Sequence, residues 1–445
     1  MVKRAPTPLA GHQSGKHTLG SGALAPDLAS QRAWALLRGS DDFFPALIQS
    51  LDAAQTEIRL ETYIFDFSLG AIGVAQALER AAARGVSVRV MLDAFGTPGI
   101  PKAWQERWSV AGVKFLFYSP LLAFVTGWPA NWRRLHRKLC VIDEVCGFCG
   151  GVNLLDDHWD PHAHQRLNPA RLDFTLQVWG PVVQEIHHQM KTLWCHVALT
   201  PTWRTQPQAA APQQVLPACW VAQAAKTDQA AQPVHAPIGQ VAQALPFLPW
   251  DSQAQDSMHL VLRDNVRHRW QIQASYLAAI GRAREEIWIA NAFFFPSRRL
   301  LLALCAAAKR GVSVHVLLSG RAEYVWLYRA TWHLLAVLIN SGVQVHEYQA
   351  SFLHAKVAMV DEDWSTVGSS NLDPLSLMMA REANIVTHSR ALAQELKAHI
   401  EDAIVTGSTR VKRADIKRRS CYNRCLDWLA YGSVLLALKL ARVHY

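Results

Sequence analysis

His136-Arg137-Lys138-Leu139-Cys140-Val141-Ile142-Asp143 and His354-Ala355-Lys356-Val357-Ala358-Met359-Val360-Asp361 carry one pattern, HxKxxxxD. Each runs on into a glycine/serine turn ending in asparagine, Gly150-Gly151-Val152-Asn153 in the first copy and Gly368-Ser369-Ser370-Asn371 in the second. One such motif arises easily by chance; two in matching surroundings do not. The surroundings repeat as well. Arg84-Gly85-Val86-Ser87-Val88 returns letter for letter as Arg310-Gly311-Val312-Ser313-Val314, and Ala111-Gly112-Val113 has its counterpart in Ser341-Gly342-Val343. The chain is an internal duplication, and its halves share one fold.

Working outward, Phe44, Leu47, Ile48 and Leu51 recur at helical spacing behind Asp41, which serves as the expected N-cap. Ile58, Leu60, Thr62 and Ile64 then alternate as a strand. A helix through Val74, Leu78 and Ala81 stops at Gly85, and Val86, Val88, Val90 and Leu92 form the next strand. The same order returns through Ile280, Ile287 and Ile289, a helix over Leu301–Lys309, and the strand Val312 to Leu318. Alternation of this kind predicts an α/β fold made of two duplicated lobes related by a pseudo-twofold, with the active site at their interface.

The expected segments are a disordered arm over 1–30, a first lobe over 31–199, an Ala/Gln/Pro-rich linker over 200–255, a second lobe over 256–407 and a basic amphipathic tail over 408–445. The arm lacks the apolar run of a signal peptide. Just before His136 the first half holds an apolar insert with Leu121, Leu122, Phe124, Val125, Trp128 and Trp132, ending in Arg133 and Arg134. It reads as either a lipid-touching loop or a buried hairpin. In the tail, six Lys or Arg fall between Arg410 and Arg419, ahead of Trp428, Tyr431, Leu435 and Leu438. That apolar stretch is too short to span a bilayer, so an interfacial helix on an anionic membrane surface is expected.

Half of the 445 residues are hydrophobic and the net charge is +10, enough for a large core and for an anionic partner. Nucleic acid, an acidic membrane and a phosphorylated substrate all fit that charge. The eight cysteines are scattered through apolar segments, which favours reduced thiols and the cytoplasm.

On a strand, the His and Lys of HxK share a face. Two such strands brought together place His136, His354, Lys138, Lys356, Asn153 and Asn371 around one pocket. Two ammonium groups and two amides can hold the oxygens of a phosphodiester, while one imidazole attacks phosphorus and the other protonates the leaving alkoxide. Each imidazole needs an orienting acid, and Asp173 and Glu382 lie downstream of His136 and His354 respectively. The cluster of His158, His162 and His164 with Asp156, Asp157 and Asp160 reads as a solvated loop rather than a metal site. Cys146-Gly147-Phe148-Cys149 reads as a strand and turn, and Arg321 with Glu323 as a head-group rim or a solvated turn.

The paired HxKxxxxD motifs with their GGxN and GSSN turns resemble the phospholipase D superfamily over about residues 34 to 407. Ile289-Ala290-Asn291-Ala292-Phe293-Phe294-Phe295-Pro296 and Val367-Gly368-Ser369-Ser370-Asn371-Leu372-Asp373-Pro374-Leu375-Ser376-Leu377 resemble its bacterial cardiolipin synthases of the B type, and Glu61-Thr62-Tyr63 matches an early family motif. The resemblance implies a phosphatidyltransferase that joins two phosphatidylglycerols into cardiolipin and glycerol without metal or other cofactor. One of His136 and His354 would become a phosphohistidine and the other act as general acid and base. Lys138, Lys356, Asn153 and Asn371 would bind phosphate oxygens, and Glu61 joins the site by its motif. Asp143 and Asp361 belong to the catalytic motif, although the resemblance implies a structural part for them. The expected partners are phosphatidylglycerol and the inner membrane's cytoplasmic surface, with no nucleic acid. The alternatives are a phosphodiesterase or nuclease of the same superfamily and a membrane-binding scaffold.

Overall fold

The repeated joints show why the halves fold alike. Arg84 and Arg310 each follow the helix of their own repeat, and each guanidinium donates to the last carbonyls of the preceding helix. Arg84 Nη2 reaches the Leu51 and Ala54 oxygens, and Arg310 Nη2 those of Ile280 and Ala283. Helix ends leave carbonyls without intrahelical partners, so one arginine serves two helices. Gly85 and Gly311 then turn the chain at φ +92° and +96°, which favours glycine.

The structure is a computed structural model describing residues 33–118, 134–160, 163–199, 257–264, 268–321, 325–373 and 380–440. The expected arm, apolar insert and linker lie outside these residues, as do His162 and Glu323. In the first half the strands are β1 (Trp34–Arg38), β2 (Glu57–Thr62), β3 (Ser87–Asp93), β4 (Lys114–Tyr118), β5 (Arg134–Leu135), β6 (Lys138–Ile142), β7 (Cys146–Gly150), β8 (Trp159–Asp160), β9 (Gln165–Arg166) and β10 (Phe174–Trp179). In the second they are β11 (Met258–Arg263), β12 (Glu286–Asn291), β13 (Ser313–Ser319), β14 (Gln344–Tyr348), β15 (Lys356–Val360), β16 (Trp364–Gly368), β17 (Ala380–Thr387) and β18 (Ser408–Arg410). One sheet runs β1-β10-β7-β6-β2-β3-β4. The other repeats that order as β11-β17-β16-β15-β12-β13-β14 and adds β18 at its edge.

Helices α1 (Gly39–Ala53), α2 (Ile72–Ala83) and α3 (Lys102–Ala111) cover the outer face of the first sheet, while α4 (Pro181–Leu199) packs on its inner side. Their counterparts are α5 (Gln271–Arg282), α6 (Arg298–Lys309) and α7 (Val325–Asn340) outside and α8 (Arg390–Gly407) inside. The inner faces share one core, in which Leu139, Val141 and Leu176 meet Trp288, Val357 and Met359. The halves are thus fused by hydrophobic burial.

Helix α1 buries Phe44, Leu47 and Leu51 as the spacing predicts, but it starts before Asp41. Asp42 accepts the Arg38 N–H at 2.9 Å, and Asp41 instead binds His158. After β18 come α9 (Arg413–Arg418) and α10 (Cys421–Leu440), so the basic run starts as a docked sheet edge. Helix α10 lies on α7: Trp326 Nε1 donates to Ser433 Oγ at 2.7 Å, and Asp427 accepts from Arg329 and Arg419. Tyr422, Trp428, Leu429 and Leu436 face outward. No helix of the described residues is long and apolar enough to cross a membrane.

Candidate active site

Strand β5 carries the first half's chain into the second sheet, pairing Arg134 and Leu135 in parallel with Ala380 and Arg381. The next residue continues this contact, since the His136 N–H donates to the Arg381 carbonyl at 3.0 Å. The second half answers in kind: Leu353 bridges Leu172, and the His354 N–H donates to the Leu172 carbonyl at 2.8 Å. Each motif histidine is therefore laid beside the residue that precedes the other half's acid.

The acids are exchanged. His136 Nδ1 lies 3.0 Å from Glu382 Oε1, and His354 Nδ1 lies 2.5 Å from Asp173 Oδ2. The order along the chain suggests that each acid serves the histidine of its own half, and the backbone pairing reverses this. With Nδ1 engaged by a carboxylate, each ring leaves Nε2 for chemistry. Glu382 also accepts from Ser369 Oγ at 2.5 Å. In the first half the place of Ser369 is taken by Gly151, whose N–H donates to the Phe174 carbonyl as that of Ser369 does to Ala383. A Cβ on Gly151 would stand 2.3 Å from Asp173 Oδ1, so glycine is needed there to admit the acid.

Lys138 and Lys356 are buried, and each Nζ donates to the carbonyl of its own motif histidine, at 2.6 Å for Lys138. Lys138 stands opposite Gly150, where the turn to Asn153 begins, and Val357, next to Lys356, stands opposite Val367, next to Gly368 at the head of the turn to Asn371. Both asparagines are buried, and Asn153 Oδ1 accepts from the Ile64 N–H at 3.3 Å. The Tyr63 ring packs edge-on to His136 at 5.0 Å between centroids.

Burial governs the protonation states. It pushes Lys138 down to about 7, against the pull of Glu382, and it pushes Asp173 up to about 7, against the pull of Lys356. It also depresses His136, and it depresses His354 well below the usual histidine range with help from the charges of Lys356 and Lys138. Burial thus favours the neutral form of both imidazoles, the form in which a ring can attack phosphorus or accept a proton. The mutual influence of His354, His136, Lys138 and Lys356 places both motifs in one electrostatic field.

Two predicted members stand elsewhere. Asp143 and Asp361 follow the far ends of β6 and β15. Asp143 accepts the backbone N–H groups of Gln55, Thr56 and Glu57, and Asp361 those of Arg284, Glu285 and Glu286. They fasten the start of a neighbouring strand and do not touch the imidazoles. Glu61 forms a buried ion pair with Arg137, the motif residue that points away from the His136–Lys138 face. It holds the strand instead of orienting an imidazole.

Sequence reading missed Ser369 as a ligand of Glu382 and Asn291 beside Lys356. Asn291 is fully buried, pairs in register with Lys356 and accepts the Leu372 N–H at 3.0 Å, one residue from Asn371. The GSSN spelling and the Ile289–Pro296 stretch were the available signals. Of the His/Asp cluster, Asp157 is committed to Arg171 and the Ser40 N–H. The one group of described residues with metal-ligand geometry is Glu57, Glu144 and His187, but Glu57 already pairs with Arg59 and Arg89, whose charges repel a cation. Cys149 is buried in β7, and the seven cysteines among the described residues are unbridged.

The family described as cardiolipin synthase, PLD-like domain, matches residues 47–194 and 276–404. Cardiolipin synthase B of Salmonella typhi is 34% identical over 401 residues, covering 89% of this chain and 86% of that protein. The Escherichia coli cardiolipin synthase B is 32% identical over 398 residues, with 89% and 86% covered. Among solved structures, phosphatidylserine synthase of Haemophilus influenzae superposes with a TM-score of 0.62 at 14% identity over 93% of this chain and 95% of its own, a likeness of fold. Both halves, their order and the paired motifs agree with the match, and the chain belongs to the phospholipase D-like family of the cardiolipin synthases.

Proposed function

We propose that this protein is a cardiolipin synthase, transferring a phosphatidyl group from one phosphatidylglycerol to a hydroxyl of another. The observation that carries this reading is the pair of imidazoles, each held at Nδ1 by an acid from the opposite half. A bound phosphodiester puts a negative charge between the rings and draws a proton onto one of them. Nε2 of the other attacks phosphorus. A nitrogen–phosphorus bond forms, the bond to the glycerol oxygen breaks, and the protonated ring gives that oxygen its proton. The same ring, now neutral, takes the proton of the second phosphatidylglycerol's hydroxyl. That oxygen displaces the histidine and yields cardiolipin. Lys138 and Lys356, with Asn153 and Asn371, stabilise the charge on the non-bridging oxygens. The protein works at the anionic cytoplasmic surface of the inner membrane, held by α9 and the exposed apolar residues of α10.

The test is incubation of the purified protein with phosphatidylglycerol vesicles and mass-spectrometric resolution of the lipids. Cardiolipin and equimolar glycerol are expected, both lost in His136→Ala and in His354→Ala. DNA cleavage without a lipid product would overturn the reading.

A further inference from the structure

The two halves differ beside their histidines. The registers Ile58–Ile142 and Ile287–Val360 make Ile58 the counterpart of Ile287, and therefore Tyr63 the counterpart of Ala292. Tyr63 fills the flank of His136 with its ring. Ala292 places only a methyl group beside the second motif, where its N–H donates to the Ala355 carbonyl at 3.0 Å. Beyond this point aromatic rings fill the described part of the first half: Phe65 and Phe67 stack at 4.4 Å and meet Trp104 and Trp108 of α3. The second half instead has a cleft between the ends of β12 and β13 and α7. Its buried lining includes Ala292, Phe294, Leu318, Leu335 and Leu353, the last adjoining His354. Arg321, Tyr328 and Glu347 form a half-exposed polar rim. The cleft lies at the carboxyl ends of parallel strands, where open α/β sheets bind ligands.

We infer that this cleft receives a segment of an acyl chain of the lipid whose phosphate lies at the paired histidines. The ligand is apolar because the floor is, and a phospholipid because the cleft adjoins His354, where the phosphate is held. Helix α7 makes the path short. The helix that lines the cleft with Leu327 and Leu335 also presents Val325 and Trp326 at the surface beside α10. The inference rests on the proposed lipid reaction and adds which half grips the tail.

Two variants narrow the cleft from different walls: Ala292→Tyr, which copies the first half, and Leu327→Trp. The reading is the ratio of kcat/KM for dioleoyl- to dihexanoyl-phosphatidylglycerol, which cancels general damage to the site. An occupied cleft predicts a fall of about tenfold or more in that ratio, mainly through KM, since several methylenes lose their burial. A ratio within about twofold of the unaltered protein in both variants overturns the inference, whether the separate rates fall or not. Independently, a phosphatidylglycerol bearing a photoreactive diazirine at its chain end is cross-linked to the full-length protein and mapped. Labelling of α7, lost in Leu327→Trp, supports the cleft; labelling confined elsewhere refutes it. Cardiolipin formation with label elsewhere leaves the reaction standing without the cleft. Label on α7 with no lipid turnover leaves the cleft standing without the reaction.

Discussion

Asp173 and Glu382 have equivalent tasks but unequal surroundings. Asp173 is packed against Gly151, while Glu382 receives the Ser369 hydroxyl. Asp173→Asn keeps the volume and replaces an acceptor by an amide that can hold the wrong tautomer of His354. We expect kcat to fall by about 10³-fold or more with little change in KM. Nitrogen NMR of the imidazoles should show the perturbation at His354 and leave His136 unmoved; the reverse would disprove the exchanged pairing. Gly151→Ala leaves no room for Asp173 and should lower kcat by about 10²-fold through misplacement of His354. Both acids were legible as candidates from the sequence, but their assignment was not. Pairing across the halves depends on β5 and the Leu172–Leu353 bridge, and two-residue contacts leave no periodic signal.

Among the elements, the strands that carry the motifs are fastened at their far ends by Asp143 and Asp361, both at positive φ of 52° and 54°. Each carboxylate collects three backbone N–H groups from the chain entering β2 or β12. Asp143→Ala should cost about 2 kcal/mol of stability, because donors lose a charged acceptor. Thermal unfolding would register this as a lower Tm, while kcat per folded molecule falls far less than in His136→Ala. An equal loss of kcat in the two variants would return Asp143 to the chemistry. The letters of HxKxxxxD group the aspartate with the catalytic pair. Only the direction of the strand shows that histidine and aspartate stand at its opposite ends.

For the whole molecule, the shared inner core sets the chemistry's pH range because it buries the site's charges. The proposed reaction needs Asp173 ionised and Lys138 protonated, and burial brings both to about 7. Below that pH Asp173 takes up a proton and releases His354; above it Lys138 loses its charge and its hold on phosphate. A narrow bell in kcat/KM centred near pH 7 follows. Lys138→Arg, whose guanidinium stays charged, should move the alkaline limb upward even as the rate drops, and an unmoved limb would exclude Lys138 as its source. At the surface, Arg413→Glu, Lys417→Glu and Arg418→Glu together should weaken binding to phosphatidylglycerol vesicles by about 10²-fold or more, at about 1 kcal/mol per basic residue removed. Sedimentation with vesicles measures it, and undiminished binding would place the membrane contact elsewhere.

The sequence by itself determined the duplication, the order of strands and helices, the paired histidines and lysines, and the family. These depend on local periodicity and on short motifs whose residues lie together along the chain. The tertiary structure decided that Glu382 serves His136 and Asp173 serves His354, that Glu61 holds Arg137, and that the second half keeps a cleft where the first is filled by aromatic rings. Those features arise where segments far apart in sequence are pressed together by one shared core. Burial there sets both the partners of each side chain and the charge it can carry.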